Sequence, residues 1–276
     1  MQISIILATY NWPQALNIIL NQLAVQLVQY PNVELIIADD GSTTKTAEVI
    51  AKYQQIISRC KHIWHPDNGF QKSIILNKAV AAANGEYLIF LDGDCIPFPD
   101  YLSQHIKLIE AGYFVAGNRV LLSKPFTEQV LNNKNLVTDI FTWGNIKWML
   151  AKFSKKVNKI SAAIRLKGGK WRYSRRHNWK YPKGCNFAMF KEDFLAVNGF
   201  DEEFCGWGHE DADLFVRLLH NGIKIKDGRF AIPVLHLWHK HEDRNNEAEN
   251  SKRLLQRVND PEFKQAVLGV KQWLPS

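Results

Sequence analysis

The chain has 276 residues, enough for one large hydrophobic core or two smaller ones. Its contents of 46% hydrophobic and 22% charged residues are typical of a soluble globular protein. A net charge of +8 favours an anionic partner, which could be nucleotide phosphates, an acidic lipid surface or nucleic acid.

Cysteine usage and hydropathy indicate the cellular setting of the protein and whether it spans a membrane. The four cysteines include no C-x-x-C pair, which is typical of neither a zinc site nor a disulfide framework and favours a reducing, cytoplasmic setting. No window of about 18 apolar residues predicts a transmembrane helix. The start of the chain has no basic leader and no cleavage site, so we expect no signal peptide. A peripheral association with the inner face of the cell membrane is compatible with these features.

Residues 1–115 alternate between predicted strands and helices. The predicted strands are Ile3–Ala8, Val33–Ala38, His62–Trp64 and Tyr87–Leu91, and the predicted helices are Pro13–Tyr30, Thr46–Ile57 and Ser73–Ala83. The unbroken apolar run before Asp92 is typical of a strand buried on both faces. This alternation predicts parallel strands joined by crossover helices, and therefore a Rossmann-like, mostly parallel sheet flanked by helices. We expect this half of the chain to bind a nucleotide.

Polar residues follow three of these strands. They are Thr9-Tyr10-Asn11, Asp39-Asp40 and Asp92-Gly93-Asp94. Because the carboxyl ends of parallel strands meet at one edge of a sheet, we expect all three groups to border one ligand crevice. Neither G-x-G-x-x-G nor G-x-x-x-x-G-K-[ST] is present, so carboxylates, a metal and Lys72 would have to hold a nucleotide.

Two of these groups have alternative explanations. Asp92-Gly-Asp94 favours a simple turn, but its two carboxylates could also hold a divalent cation. Asp39 and Asp40 could cap the next helix together with Ser42, or one of them could accept a hydrogen bond from a nucleobase N–H.

A basic insert at about 140–182 interrupts the second half of the chain, residues 116–241. From Trp143 to Ile164, apolar residues recur every three or four positions and predict a helix. No acidic residue occurs between Asp139 and Glu192. The helix could pack on the core before a solvated loop, or the insert could face a membrane or an anionic acceptor. Its glycine- and tryptophan-containing loop could also be a mobile lid.

Two further groups of polar residues follow the insert. Glu210, Asp211 and Asp213 begin a predicted helix, where acidic residues stabilise the helix dipole, but Trp207 between two glycines just before them suggests a site. At the end of the predicted strand Ala231–Leu237, the spacing of three histidines (His236, His239 and His241) allows either ordinary polar roles or metal binding. The tail, residues 242–276, is predicted to be helical at Ala248–Val258 and Pro261–Val270.

Together these motifs resemble, in order and spacing, those of family 2 glycosyltransferases with the GT-A fold. The residues that carry the resemblance are Thr9-Tyr10-Asn11, Asp39-Asp40-Gly41-Ser42, Asn68-Gly69 through Asn77, and Asp92-Gly93-Asp94. The segment from Asn198 to Asp211 is similar to the acceptor-side motif of β-1,4-galactosyltransferases and chondroitin-polymerase-type domains. The resemblance covers about 1–115 and 182–241 and leaves out the insert.

The resemblance implies an inverting transfer of a sugar from a nucleoside diphosphate donor, usually UDP, to a hydroxyl. It assigns Asp211 as the general base, and Asp rather than Asn at this position favours inversion. It assigns donor binding to Thr9, Tyr10, Asp39, Asp40, Lys72, Asn77, Asp92 and Asp94, with Asp39 on the uracil. Asp94 and His236, with His239 as second choice, would bind Mn²⁺ or Mg²⁺. Trp207 and Glu210 would shape the acceptor site, so the resemblance makes 116–241 the acceptor-binding half.

The sequence therefore predicts a metal-dependent glycosyltransferase that uses a UDP-sugar of the galactose, N-acetylhexosamine, glucose or glucuronic acid type. The expected acceptor is a glycan or lipid-linked glycan, in the synthesis of lipopolysaccharide or capsule. A nucleotidyltransferase acting on sugar phosphates is an alternative with a similar sheet and acid pair. A non-enzymatic nucleic-acid-binding module is another, although no RNA- or DNA-reading motif is present.

Overall fold

Four parallel strands and three helices form the first part of the chain. The computed structural model describes residues 1–166, 168–240 and 244–275. The strands are β1 (Ile3–Thr9), β2 (Val33–Asp39), β3 (Cys60–Trp64) and β4 (Tyr87–Asp92), and the helices are α1 (Pro13–Leu27), α2 (Thr44–Gln54) and α3 (Lys72–Ala81). Strands β1, β2 and β4 consist largely of aliphatic residues and are buried along nearly their whole length. The structure confirms the predicted alternation of strands and helices.

The parallel pairing brings the ends of these strands together. Their order in the sheet is β3-β2-β1-β4. Thr9 at the end of β1 lies opposite Asp39 at the end of β2, and Ala8 lies opposite Asp92 at the end of β4. The polar residues that follow β1, β2 and β4 therefore emerge side by side, as the sequence predicts.

The second part of the chain extends this sheet and adds a smaller one. Its strands are β5 (Cys95–Pro97), β6 (Tyr113–Ala116), β7 (Asn118–Leu121), β8 (Asn186–Phe190), β9 (Lys224–Asp227) and β10 (Pro233–His236). Its helices are α4 (Tyr101–Leu108), α5 (Lys124–Asn132), α6 (Lys134–Phe141), α7 (Asn145–Phe153), α8 (Lys191–Ala196), α9 (Glu210–His220) and α10 (Glu247–Val258). The seven-stranded sheet has the order β3-β2-β1-β4-β8-β6-β9, with β8 antiparallel to both of its neighbours. Strand β10 pairs with β5 and β7, which places His236 next to Cys95.

Apolar layers cover both faces of the main sheet. Alternate residues of β1 contribute to different layers, with Ile5 in one and Ile6 in the other. The layer below α3, α8 and α9 contains a group of phenylalanines in which the rings of Phe90 and Phe187 stack with centroids 4.5 Å apart. Because Phe90 lies on β4 and Phe187 on β8, this group joins the two parts of the chain into one core.

Buried ion pairs hold the helix that follows the glycine-flanked tryptophan. Asp213 of α9 contacts Arg217 at 2.7 Å and Arg257 of α10 at 2.8 Å. Arg257 also contacts the buried Asp201 at 2.9 Å. Removing one partner would leave an uncompensated buried charge, so these pairs fix the position of α9 relative to α10.

The tail is less helical than predicted. The helix predicted over Ala248–Val258 is confirmed as α10, but the one predicted over Pro261–Val270 is wrong. The backbone N–H groups of Ala266 and Val270 donate to the carbonyls of Val197 and Asn198 instead of to a local helical turn. Only a short 3-10 turn, Val270–Trp273, follows.

The predicted helix in the basic insert is also shorter in the structure. Helix α7 ends at Phe153 after nine residues, and the single helix expected from 143 to 164 is wrong. Ser154 Oγ donates to the carbonyl of Leu150 at 2.9 Å, and Lys155 adopts a left-handed φ of 55°. The chain then forms an isolated bridge between Val157 and Leu122, just after β7.

The apolar stripe of α7 does not pack on the core. Trp148 and Ala151 face the interior at 2% and 4% exposure. Ile146, Met149, Leu150 and Phe153, which the periodicity could have placed on the core, are all exposed. Within the part of the chain that the structure describes, no helix is long and apolar enough to cross a bilayer.

Candidate active site

A cleft of about 1040 Å³ opens at the carboxyl edge of β1 and β4. The residues predicted from sequence that line it are Thr9, Tyr10, Asp40, Lys72, Asp92, Asp94, Trp207, Glu210 and His236. Asp39, Asn77 and Asp211, all within the described ranges, lie outside its lining. Residues that the sequence did not single out also line it, among them Trp12, Arg119, Trp238 and Arg244. A space of this size accommodates an extended polar ligand together with part of a second one.

Gly93 allows the turn between β4 and β5 to pass close to β1. A Cβ atom at this position would lie 2.5 Å from the carbonyl oxygen of Ala8, so a larger residue would displace backbone. The tight turn places Asp92 and Asp94 on the cleft wall with different partners. Asp92-Gly-Asp94 therefore forms a turn and also places two carboxylates on the cleft. The two explanations given for this motif from the sequence are compatible.

Asp94 lies at the centre of a cluster of potential metal ligands. Its Oδ2 is 3.2 Å from Nε2 of His236 and 3.0 Å from Nε2 of His239. Burial raises the pKa of Asp94, but the hydrogen bond from His239 and the nearby His236 outweigh burial and hold it well below the usual range. Burial lowers the pKa of His236, which favours the neutral imidazole. An ionised carboxylate and a neutral imidazole are both ligands of divalent cations in proteins.

The ligand atoms of this cluster are close enough to share one ion. Oxygen of Asp94, Sγ of Cys95 and a ring nitrogen of His236 all lie within 4.8 Å of one another. Sγ of Cys95 donates to Oδ1 of Asp94 at 3.2 Å, and burial raises the pKa of this thiol well above its ordinary value, which disfavours the thiolate that binds a metal. Asp94 and His236 therefore fit a divalent cation, and His239, whose Nε2 is 3.0 Å from Oδ2 of Asp94, is a further candidate ligand. His241, the third histidine of the motif, lies outside the described residues.

Lys72 lies within reach of two acids, Asp92 at the end of β4 and Glu210 at the start of α9. Its Nζ is 2.7 Å from Oδ1 of Asp92. Burial lowers the pKa of Lys72, but Asp92 and then Glu210 more than offset burial and raise it above its ordinary value. Lys72 is thus a fixed positive charge on the cleft wall, between acids that come from distant parts of the sequence.

Asp39 and Asp40 each pair with a histidine that the sequence did not single out. Oδ2 of Asp39 is 2.9 Å from Nε2 of His62, and its Oδ1 accepts from the N–H of Ser42 at 2.9 Å. Oδ1 of Asp40 is 2.7 Å from Nε2 of His65. Helix α2 begins at Thr44 and no side chain among the described residues caps it, so neither Asp39 nor Asp40 is a helix cap. Asp39 stabilises the turn after β2 instead, through its hydrogen bond with the N–H of Ser42. Asp40 is the one on the cleft, and a contact between Asp39 and the base stays a prediction.

The loops after β1 and β2 are hydrogen-bonded to each other. The N–H of Asn11 donates to Oγ of Ser42, and the N–H of Thr43 donates to Oδ1 of Asn11, both at 2.9 Å. Asn11 adopts a left-handed φ of 44°, and Tyr10 before it points its hydroxyl at Oδ2 of Asp67, 2.9 Å away. Tyr10 remains 49% exposed, so one side of its ring is free to contact a ligand.

Asn77 lies beneath the site rather than on it. Its side chain is fully buried, donates to the carbonyl of Phe200 at 2.9 Å and accepts from the N–H of Phe200 at 2.9 Å. It also donates to Glu202 at 2.8 Å. The structure therefore gives Asn77, predicted to bind the donor, a role in holding the segment before Trp207 against α3.

Two acids at the start of α9 have different surroundings. Glu210 lines the cleft, and burial together with Asp211 raises its pKa to about 7. Oδ2 of Asp211 accepts from the N–H of Gly184 at 2.7 Å, and Oδ1 accepts from the N–H of Ala212 at 2.7 Å. A Cβ at Gly184 would clash with the side chain of Asp211, so glycine lets the carboxylate approach this backbone N–H. Asp211 is thus oriented by backbone donors at the edge of the site.

The segment before α9 brings Trp207 to the cleft. His209 has a left-handed φ of 73°, between Gly208 and the first residue of the helix. The guanidinium of Arg244 lies 4.7 Å from the centroid of the Trp207 ring, a cation–π geometry. An aromatic ring and a cation can bind a polar ring, and one of the neighbouring carboxylates, Glu210 or Asp211, can accept a proton from its hydroxyl.

Comparisons with known proteins agree with this geometry. The family model described as "Glycosyl transferase family 2" matches residues 4–192, and the one described as "N-terminal domain of galactosyltransferase" matches residues 169–240. The chondroitin synthase of Pasteurella multocida (strain Pm70) is 30% identical in an alignment of 254 residues that covers 83% of this chain and 24% of that protein. The chain thus spans about a quarter of the length of this relative.

Solved structures share the fold at low sequence identity. S. aureus TarS 1–349 in complex with UDP-GlcNAc superposes with a TM-score of 0.63 at 14% identity, covering 99% of this chain and 69% of that one. A mannosyltransferase from Pyrobaculum calidifontis in complex with GDP-Man and Mn²⁺ superposes with a TM-score of 0.60 at 15% identity, covering 96% and 65%. The predicted GT-A fold is confirmed.

Proposed function

Because the chain belongs to glycosyl transferase family 2 and is a glycosyltransferase, we propose that it transfers a sugar from a UDP-sugar to a glycan hydroxyl with inversion. The observation that carries this proposal is the meeting of Asp94, His236 and His239 on the same cleft as Lys72 and Glu210. Family membership supports sugar transfer over the two alternatives, a nucleotidyltransferase and a non-enzymatic nucleic-acid-binding module.

A divalent cation, Mn²⁺ or Mg²⁺, would be held by Asp94, His236 and His239. When bound, such a cation neutralises charge that develops on the departing diphosphate. The complexes of related folds with UDP-GlcNAc and with GDP-Man and Mn²⁺ support a nucleotide-sugar donor and a metal here. The nucleobase of the donor would bind beside the hydrogen-bonded loops after β1 and β2, where Thr9 and Tyr10 line the cleft.

Lys72 would supply a fixed positive charge to the reacting groups. Its salt bridge with Asp92 orients the ammonium group within the cleft. A fixed charge of this kind costs no reorganisation when negative charge builds on the leaving group, so it stabilises the transition state more than the ground state. Asp92 would then contact the donor ribose or water around the metal.

Asp211 would take the proton of the acceptor hydroxyl as that oxygen attacks the anomeric carbon. Its two backbone donors, the N–H groups of Gly184 and Ala212, hold the carboxylate in one orientation. Glu210 and Trp207 would position the acceptor sugar by hydrogen bonding and by ring stacking. Attack from the face opposite the departing diphosphate inverts the configuration at the anomeric carbon.

The acceptor would be a growing glycan or lipid-linked glycan. The similarity to a chondroitin synthase supports polysaccharide synthesis, and a donor of the galactose, N-acetylhexosamine, glucose or glucuronic acid type. In this proposal the enzyme works in the cytoplasm at the membrane surface, on a precursor of lipopolysaccharide or capsule. The basic insert supports that placement.

The test is nucleotide release from a panel of UDP-sugars and GDP-mannose, with Mn²⁺, Mg²⁺ or EDTA, with and without oligosaccharide acceptors. We expect slow release of UDP from one UDP-sugar with Mn²⁺, loss of release in EDTA, and faster release with the right acceptor. Asp94→Ala should behave like the EDTA sample, whereas Asp139→Asn, at an exposed position outside the cleft, should behave like the unaltered enzyme. Release that is equal with and without EDTA, or that occurs only from GDP-mannose, would contradict the proposal.

A further inference from the structure

Helix α7 carries an exposed apolar surface that the transfer reaction does not use. Ile146, Met149, Leu150 and Phe153 are spaced so that they lie on one side of the helix, and we call them the α7 face. Their exposed fractions are 75%, 48%, 61% and 81%. The opposite side of the helix is already occupied, because Trp148 is buried against Phe98 and Trp143. A contiguous group of exposed apolar side chains is a feature of interaction sites.

The charge around the α7 face is mostly positive, with Lys147 paired to Asp139 of α6 at 3.5 Å. Lys147, Lys152, Lys155 and Lys156 are exposed next to it. Between Asp139 and Glu192 the sequence has fourteen lysines and arginines and no acidic residue. The rest of the chain, with 21 basic and 27 acidic residues, has a net charge of −6. All of the excess positive charge of this protein is therefore concentrated in the segment that bears the α7 face.

We propose that the α7 face and its lysines dock on an anionic lipid bilayer, with the helix lying flat in the headgroup region. Apolar side chains flanked by lysines are the combination that interfacial helices use. A helix of nine residues is about 14 Å long, too short to span a hydrocarbon core of about 30 Å. This proposal names the surface that would hold the enzyme at the membrane. It rests on the proposed function, which explains why the enzyme would bind there.

The charge disfavours a second copy of the chain as the occupant. In a symmetric dimer the same patch would meet itself, and the lysines around the two α7 faces would repel each other. Nucleic acid would satisfy the lysines but would leave Phe153 and Ile146 in contact with phosphates and water. An anionic membrane complements both the charge and the apolar side chains.

The α7 face is connected to the cleft by backbone hydrogen bonds. The N–H of Ser123 donates to the carbonyl of Lys156 at 2.9 Å, and the N–H of Asn158 donates to the carbonyl of Leu121 at 3.1 Å. Leu121 lines the cleft next to Arg119. Docking of α7 would therefore orient the cleft relative to the membrane, so that a lipid-linked acceptor reaches it from a fixed direction.

The experiment is co-sedimentation of the whole chain with vesicles of phosphatidylcholine alone or with about 30% phosphatidylglycerol. We expect binding at least tenfold tighter to the anionic vesicles, weakening as salt is added. The triple variant Ile146→Ser, Leu150→Ser, Phe153→Ser should weaken binding on the order of tenfold or more. Lys152→Gln and Lys156→Gln should each weaken it about fivefold. The control is Val25→Ser with Val28→Ser on and just after α1, exposed by 65% and 84%, which should bind like the unaltered chain.

Three results would overturn the proposal. They are equal binding to neutral and anionic vesicles, unchanged binding of the triple variant, and a dimer in light scattering that the triple variant converts to a monomer. The last result would identify the α7 face as a protein interface. UDP release in solution is measured on the same variants and should be unchanged, which shows that they are folded. Vesicle binding without any UDP-sugar turnover would refute the proposed function and leave this proposal standing.

Discussion

Glu210 offers the sharpest test of the electrostatics of the cleft. Burial and the neighbouring Asp211 raise its pKa from 4.5 to about 7. The folded chain therefore holds the proton of Glu210 more tightly than the unfolded chain does. The stability that this proton contributes is fully present below about pH 4.5 and is lost as the pH rises through about 7. A difference of this size corresponds to about 3 kcal/mol.

The perturbation is Glu210→Gln, which keeps the shape of the side chain and an acceptor oxygen for the N–H of Gly208, but does not titrate. The free energy of unfolding of the variant minus that of the unaltered chain should become more positive by about 2–3 kcal/mol between pH 5 and pH 8. For a chain of this length, that difference corresponds to a relative gain of roughly 4–10 °C in Tm. The measurement is urea unfolding at fixed ionic strength in EDTA, at pH 5, 6, 7 and 8.

The matched control is Glu262→Gln, whose side chain is 86% exposed. Its stability relative to the unaltered chain should not change with pH over the same range. If Glu210→Gln gave the same difference in unfolding free energy at pH 5 and at pH 8, Glu210 would titrate as an ordinary carboxylate. The inference that burial and Asp211 raise the pKa of Glu210 would then be refuted.

Three further predictions concern the metal ligands, the base and the core. His236→Ala and His239→Ala should each raise the Kd for Mn²⁺ by about 10–100-fold, measured by calorimetry, and an unchanged Kd for His239→Ala would leave His236 as the only imidazole ligand. Asp211→Asn should lower kcat by a factor on the order of 10² or more while UDP and Mn²⁺ still bind, and turnover like that of the unaltered enzyme would remove Asp211 from the base role. Phe90→Ala should destabilise the fold by about 3–5 kcal/mol in urea unfolding, because its ring stacks on Phe187 inside the core, and a loss below about 1 kcal/mol would contradict that packing.

The strands and the edge where the site forms could be predicted from the sequence because their signals are local. Buried strands such as β1, β2 and β4 are continuous aliphatic runs, and the chemistry changes abruptly at the residue where each strand ends. Parallel pairing then places those ends together without further information. This is why the position of the cleft, and Asp92 and Asp94 in its wall, followed from the order of the motifs.

The partners of the polar residues could not be predicted in the same way. Asp40 and His65 are 25 residues apart, and Asn77 and Phe200 are 123 apart, and no spacing in the sequence connects them. The resemblance ranked His239 second to His236 as a metal ligand, and only the passage of the end of β10 beside β5 shows that both lie within 3.2 Å of Asp94. Only the packed sheet decides which side chains within reach of a carboxylate contact it.

The insert shows the same division between local and tertiary information. Periodicity determined by itself that α7 is helical and that it has an apolar face, since both depend on residues three or four apart. It did not determine which face is buried, because Trp148 and Ala151 form a second apolar side, and the tertiary structure turns that side inward. The sequence thus determined the fold class, the order of the site motifs and the concentration of positive charge. The tertiary structure decided which of these side chains share a cleft and which face the surroundings, because burial depends on contacts between distant parts of the chain.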